Sequence, residues 1–518
     1  MQPRPIARLF RRITLVFSLF GGLAFQDPND LLRKIRLRLA QKGIVLPSFV
    51  LRTSSPLGET LYEAGELTKS ANEFHSAGWF GKLRAYKLRS QLHELGMPIK
   101  SGVVRKAMHG AESKPRVMFF LTNAKPYTNS GYTERTQFLL KNLLRCGVPV
   151  EGITRLGYPI LVGFFPVNEE VVVDGVKYRF LLPRFYPLKK QAQVEIAVDL
   201  LVKEAKKFQA TALHTTTDFK NAVIVSRAAE RLGIPWIYEV RGELEKTWLS
   251  KRPALISDAA ATSEFFSLAE QQETEAMKQA NAVIALSEVS KSQMIRRGIP
   301  SEKILVVPNA ISEEAVMRRF NRDNIRSELN LGNGKIIGAI TSLVGYEGID
   351  DLIRAVRHLP DLECIIVGDG ESRMRLEVLA RELNVSDRVY FKGKQPFDAI
   401  WKWYAALDVL VVPRKNHEVT RAVTPIKTLM AQALGTPVVA SDLPALREVT
   451  GGLAEYCTAE DPASIAAAVE RVLKFDVQSR ERLASDGREW VRTRTWHHNA
   501  ERLSDFYVSI SAKPDFEF

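Results

Sequence analysis

The sequence predicts an α/β protein with two parallel-sheet, doubly wound domains facing each other across a cleft, preceded by a helical extension. Three observations carry the prediction. From Arg116 onward, short β-rich apolar runs alternate with amphipathic helical stretches, the texture of βαβ units. Many of those runs are continuously apolar, as strands buried on both faces of a parallel sheet must be. Eleven such runs are too many for one doubly wound sheet in a chain of 518 residues, so two sheets of roughly six strands fit better.

The elements follow in order. Residues 1–112 form the extension, with apolar residues at helical spacing over 30–42, 60–74 and 80–95 before Gly96 and Pro98 punctuate the chain. They carry no evident chemistry and read as scaffold or docking helices. The first domain, 113–308, takes strands from 117–123, 148–155, 211–217, 235–240, 281–287 and 304–310. The second, 309–490, takes 336–342, 362–370, 389–393, 408–413 and 437–442, with helices over 352–358 and 373–383. A polar, charged linker is expected near 309–333. Residues 491–518 read as a C-terminal helix and tail that pack back toward the first domain.

Composition narrows the function classes. Hydrophobic residues make up 45% and charged residues 25%, ordinary for a globular chain. Cys146, Cys364 and Cys457 are far apart and form no CxxC pair, so neither a disulfide framework nor a zinc knuckle is indicated, and a reducing, cytoplasmic setting fits. The net charge is +14, but residues 1–50 hold nine Lys/Arg against two Asp/Glu, half of the whole excess. Charge concentrated at one end, with no recognition motif, argues against a nucleic-acid partner. The same stretch contains an apolar run over 13–25, shorter than the roughly twenty residues a spanning helix needs. Residues 1–45 read as a peripheral anchor on an anionic membrane surface, on the inner face of the plasma membrane, or as a basic helix packed on its own protein; a cleaved secretory signal is a third reading, which the poor cleavage match at Phe25-Gln26-Asp27 disfavours.

Four constellations stand where open parallel sheets bind ligands. Ser130-Gly131 follows the first strand and leads into a helix over 133–146, a turn that offers free N–H groups and the positive helix end to a phosphate. An ordinary βα turn has the same pattern. Thr424 reads as an N-cap and Pro425 as the first helical residue of a second such helix, with Arg414 and Lys427 as adjacent cations, a plausible diphosphate site or a solvated cap. Gly368-Asp369-Gly370 closes an apolar strand but is not GxGxxG, because Arg373 holds the third position, which removes the best support for a dinucleotide enzyme. Glu239 and Arg241 end a strand and suit sugar hydroxyls or a phosphate, or form a structural ion pair; His214 ends another.

Taken together these pieces resemble the retaining GT-B glycosyltransferases of glycosyltransferase family 4, over about 116–507. The resemblance is closest to bacterial members associated with exopolysaccharide and exosortase gene clusters. The matching motifs are SGYxxRT at Ser130–Thr136, YEVRG at Tyr238–Gly242, RGIP and VVPNA over 297–310, YEGxDxLxxA from Tyr346, VGDG at Val367–Gly370, and a TPLK-like helix with PVVASD over 424–442. The resemblance implies two Rossmann-like domains, the second holding the nucleotide-diphosphate sugar and the first the acceptor. It nominates Gly131, Asn309, Ser342, Gly368, Arg414, Thr424, Pro425, Lys427 and Asp442 for the donor, and Arg241, Glu239 and His214 for the catalytic, acceptor side. It implies transfer to a glycan or lipid-linked acceptor with retention of configuration, with no metal and no tightly bound cofactor.

The chain also departs from that family. The usual pair of glutamates falls on Ala422 and Met430, and methionine cannot accept ribose hydroxyl hydrogen bonds as a carboxylate does. The usual Arg and Lys of the second domain's first loop fall on Ser342 and Glu347, and the second histidine of an HxH falls on Thr216. Two readings follow: a hexosyltransferase in polysaccharide or cell-envelope synthesis, or a catalytically silent scaffold or nucleotide-sugar-binding module. The transferase reading requires the helix starts at Ser130-Gly131 and Thr424-Pro425 to face one gap, and no carboxylate to crowd Lys427.

Overall fold

A computed structural model describes Thr14, Leu15, Ser18 and residues 55–102, 114–396 and 398–512. By contact the chain divides into two units. The first holds the described residues up to Ile284 with Glu302–Leu305 and Ser504 onward; the second holds Ala285–Ser301 and Val306–Leu503.

The first unit is built on strands β1 (Val117–Leu121), β2 (Val150–Thr154), β3 (Glu170–Val173), β4 (Val176–Phe180), β5 (Ala212–Thr216), β6 (Trp236–Glu239), β7 (Ala282–Ala285) and β8 (Ile304–Val306). Their order is β3-β4-β2-β1-β5-β6-β7-β8. Pairing is parallel from β4 to β7, and β3 is antiparallel to its neighbour β4. The second unit carries β9 (Lys335–Ile340), β10 (Leu362–Val367), β11 (Val389–Gly393), β12 (Val409–Val412), β13 (Val438–Ser441) and β14 (Glu455–Cys457). This sheet is parallel throughout, in the order β11-β10-β9-β12-β13-β14.

Each of the eleven expected runs contains a strand. Three strands were not expected. β3 and β4 form a hairpin through Asp174-Gly175, whose φ values of 46° and 81° are those of a two-residue turn that matches strand twist. β14 has three residues at a sheet edge, too short for a periodic signal.

The second sheet shows why its strands are continuously apolar. Ile336, Ile340, Leu410 and Val412 pack into one core cluster, while the alternate residues Ile337, Ala339, Val409 and Val411 pack into another. Successive side chains point to opposite faces, and helices cover both, so no position can be polar at low cost.

Two segments differ from expectation. The stretch near 309–333 is not a free linker: helices Glu313–Met317 and Arg322–Glu328 bury Ala315, Val316 and Ile325 in the second unit's core, and the Arg326 guanidinium pairs with Asp408 at 2.9 Å. The pattern over 60–74 is two helices, Pro56–Glu63 and Leu67–Ser76. Gly65 breaks it with φ +86°, where a Cβ would lie 2.3 Å from Ser263 Oγ. These helices and Gly78–Leu95 are tied to the first unit: the Thr68 N–H donates to Glu264 at 2.6 Å, the Lys100 N–H to Ser226 Oγ at 3.1 Å and the Gly102 N–H to Gln279 O at 2.7 Å.

Most of 1–45, including the helix expected over 30–42, lies outside the described residues. Within that stretch Leu15 is buried, and Ser18 Oγ accepts a hydrogen bond from the Tyr186 N–H at 3.0 Å. Among the described residues no helix is long and apolar enough to cross a membrane.

Candidate functional site

In an open parallel sheet the connections leave in opposite directions at one point, and the crevice there, at the carboxyl ends of the strands, is the default ligand site. In the second unit that point lies between β9 and β12. Thr341 follows β9, Gly368 follows β10 and Arg414 follows β12 by one residue. The helix Ile426–Ala433 begins beside them.

That helix starts later than expected. Pro425 occupies the cap position with φ −86° and ψ 138°, and Thr424 makes no capping bond. With ψ at 138° Pro425 is itself extended, so the helix starts one residue later, at Ile426. Asn309 Nδ2 donates to Thr424 O at 3.2 Å, and Arg414 Nη1 donates to Val423 O at 2.8 Å. Asn309, Arg414, Thr424, Pro425 and Lys427 are therefore brought together. Thr424 Oγ1 and Arg414 Nε are buried, in residues 5% and 6% exposed, with no partner among the described residues.

The space beside Lys427 holds a carboxylate, contrary to the requirement drawn from the sequence. Glu347 accepts from Arg414 Nη2 at 2.8 Å through Oε1 and from Lys427 Nζ at 2.5 Å through Oε2. Lys427 also donates to Thr341 Oγ1 at 2.6 Å. Backbone geometry delivers Glu347 to this place. It ends the 3-10 turn Gly345–Glu347, and Gly348 follows with φ +70°. A Cβ at Gly348 would lie 1.8 Å from Pro413 O, so the loop can press onto the β12 connection only with glycine there. Burial alone would raise the Glu347 pKa, but Lys427 and Arg414 reverse this and bring it down to about 2. Burial brings Lys427 down to about 8 despite Glu347. Both are charged at pH 7.

The other nominated donor residues stand apart from this cluster or serve the backbone. Gly368 has φ +137°, and a Cβ there would meet Thr341 O at 1.8 Å, so chain packing alone requires glycine at this position. Ser342 is exposed on the adjoining loop. Asp442 is exposed and is engaged by Arg447 at 2.5 and 2.8 Å. Met430 packs against the core cluster, and the Ala422 carbonyl accepts from Ser287 Oγ at 3.3 Å.

In the first unit, Ser130 caps the helix Gly131–Arg145. Its Oγ accepts from the Thr133 N–H at 3.3 Å, while Thr133 Oγ1 accepts from the Ser130 N–H at 2.9 Å. A Cβ at Gly131 would meet nothing within 4 Å, so the helix start is open.

Glu239, Arg241 and His214 were expected to face an acceptor. They are instead 0%, 6% and 0% exposed and are occupied by internal partners. Arg135, four residues into that helix, donates to Glu239 Oε1 at 2.6 and 2.9 Å. Arg241 donates to Glu239 Oε2 at 2.5 and 2.8 Å, and to Tyr132 O and Thr136 Oγ1 at 2.9 and 2.7 Å. His214 stacks on Phe119 with 4.3 Å between ring centroids and places Nδ1 2.6 Å from the Tyr507 hydroxyl. Burial works against the ionised carboxylate, yet Arg241 and Arg135 hold Glu239 well below the usual carboxylate range. Burial also lowers the His214 pKa, so the ring is neutral at pH 7. The network positions the first turn of the Gly131 helix.

Sequence reasoning missed a cavity of about 310 Å³ at the equivalent point of the first sheet, between β1 and β5. It is lined in part by Thr122, Arg155, Tyr186, Lys190, Asp218 and Lys220. Arg155 Nε is buried there without a partner among the described residues, while Lys190 and Lys220 each stand 3.6 Å from Glu94. The usable signal was Arg155 at the end of the second apolar run, the strand end on which a cation is most exposed to a ligand. Among the described residues no group of His, Cys, Asp and Glu is arranged to hold a metal ion.

Two family models match consecutive parts of the chain. Residues 130–310 match the Glycosyl transferase 4-like domain, and residues 321–490 match Glycosyl transferases group 1. The 2-deoxystreptamine glucosyltransferase of Streptomyces kanamyceticus is 28% identical over 239 residues, 44% of this chain and 60% of that protein. The D-inositol 3-phosphate glycosyltransferase of Thermomonospora curvata is 35% identical over 144 residues, 27% of this chain and 32% of that protein. The chain thus spans from a third to three fifths of the length of these curated relatives. Among solved structures, Anabaena HepE in complex with UDP superposes with a TM-score of 0.56 at 18% identity, covering 76% of this chain and 100% of that one. The fold is GT-B, with two Rossmann-like domains.

Proposed function

We propose that this chain, with its 4-like and group 1 glycosyltransferase regions, transfers a sugar from a nucleotide-diphosphate sugar to a polysaccharide or lipid-linked acceptor with retention of configuration. The observation that carries the proposal is the cluster at the start of the helix Ile426–Ala433: Arg414 and Lys427 beside free helix N–H groups, with Thr424 Oγ1 and Arg414 Nε buried and unpartnered among the described residues. Such a site holds a diphosphate and takes up the charge that develops on it as the sugar leaves. Lys427 and Arg414 stabilise the departing phosphate, Asn309 fixes the Thr424 carbonyl, and the glycine turn at Ser130-Gly131 offers a second open helix start. The cavity with Arg155, Lys190 and Lys220 suits an acceptor bearing a negatively charged group. HepE, whose structure holds UDP, makes UDP-sugars the first donors to test.

Two observations favour a second reading, a nucleotide-sugar-binding module without catalysis: Met430 is packed against the core, and Glu347, paired with both donor-site cations, is the carboxylate whose absence beside Lys427 the transferase reading required. The transferase reading therefore needs Arg414 and Lys427 to hold the diphosphate with Glu347 in place. Incubation with UDP-glucose, ADP-glucose and GDP-mannose separates the two. The transferase reading expects slow release of the nucleoside diphosphate without acceptor and faster release with a glycan or lipid-linked acceptor. Binding of one donor with no release over a broad acceptor panel would establish the silent module.

A further inference from the structure

We propose that Glu347 is a charge-selecting residue of the donor site, leaving it suited to a nucleotide sugar and poorly suited to the free nucleoside diphosphate. This rests on the donor-site reading above. Two cations, Arg414 and Lys427, face one anion, Glu347, so the cluster carries one unit of excess positive charge in place of two. Glu347 is held in place by the tight Gly348–Pro413 packing and is not a mobile surface group; its side chain is 7% exposed.

The reaction changes the ligand's charge. In a nucleotide sugar each phosphorus of the diphosphate carries one negative charge. Transfer breaks the bond between the anomeric carbon and the terminal phosphate oxygen, and the electron pair stays on that oxygen. The sugar bonds to the acceptor hydroxyl, whose proton goes to the phosphate or to solvent. Once equilibrated above the second phosphate pKa of about 6, the product carries about three negative charges. A fixed carboxylate beside the binding cations repels the product more than the donor, because the repulsion scales with ligand charge. Glu347 thereby lowers retention of the product relative to the donor.

Calorimetric titration of the full chain at pH 7 with UDP, ADP and GDP, and with the glucose conjugate of each, tests the proposal. The wild type is expected to bind the preferred conjugate at least as tightly as its free diphosphate. Binding of the free diphosphate tenfold or more tightly than the conjugate would overturn it without any variant. Glu347→Gln keeps an acceptor for Arg414 and removes the charge. It is expected to tighten the free diphosphate more than the conjugate, so a hundredfold gain for UDP would accompany about twentyfold for UDP-glucose, the ratio set by three charges against two. Equal gains, or none, in a variant with a wild-type circular dichroism spectrum would reject the selecting role. Glu347→Asp retains the charge and is expected to keep the wild-type preference. If none of the six ligands binds wild type or variant, the donor-site reading itself fails.

Discussion

At Glu239 one carboxylate lies between two guanidiniums in a space closed to water. Each arginine on its own would be an isolated buried cation, and the carboxylate on its own an isolated buried anion. Glu239→Gln removes the charge that compensates both Arg135 and Arg241 and is expected to cost about 3–5 kcal/mol, read as a fall in the denaturation midpoint. A midpoint within the error of wild type would show that solvent reaches the pair. Glu273 behaves oppositely. Burial holds its pKa up to about 8, with the Tyr238 hydroxyl at 2.6 Å and the Phe219 N–H at 2.9 Å as partners. Below pH 4.5 the group is protonated in both folded and unfolded chains. As pH rises toward 8 only the unfolded chain ionises, so folding stability falls across that window. Glu273→Gln is expected to flatten this part of the curve of melting temperature against pH; an unchanged slope would assign it to other groups. At this scale the sequence shows which residue types stand at strand ends. It does not show that Arg135, from a neighbouring helix, closes over Glu239 and turns a candidate acceptor contact into an internal brace.

At the scale of elements, strands and helices were legible where one physical signal dominated. Continuous apolar runs marked the parallel strands because both faces are covered. The helix after Ser130-Gly131 was legible from the glycine turn that follows the first strand, but it starts at Gly131, two residues before the expected Thr133, because Ser130 caps it. Thr424-Pro425 misled by one position, since proline suits a helix's first residue but here extends the backbone and becomes the cap. The hairpin at Asp174-Gly175 carried a turn signal that a search for buried parallel runs passes over. The approach of Glu347 to Lys427 was illegible, because the two stand 80 positions apart in sequence and are brought together by the pairing of β9 with β12 and the packing of Gly348 on Pro413. Gly348→Ala is expected to destabilise the second unit by about 1–3 kcal/mol, combining a positive φ with a Cβ clash, and to misalign Glu347. Unfolding followed by a probe in residues 335–473 measures it; an unchanged midpoint would mean the loop relaxes freely.

For the molecule as a whole, both sheets present charged groups at their topological switch points, the first around Arg155 and Lys220 and the second around Arg414 and Lys427. That arrangement, and not any one motif, is the basis on which a donor site is proposed on the second unit and an acceptor site on the first. The central claim is that the diphosphate of the donor rests on Lys427 at the start of the helix Ile426–Ala433. Calorimetric titration of wild type and Lys427→Ala with UDP-glucose, ADP-glucose and GDP-glucose tests it most directly. At least one conjugate is expected to bind the wild type, and the substitution to weaken that binding tenfold or more, the loss of one charge-assisted contact. The same affinity in a folded Lys427→Ala protein would contradict it.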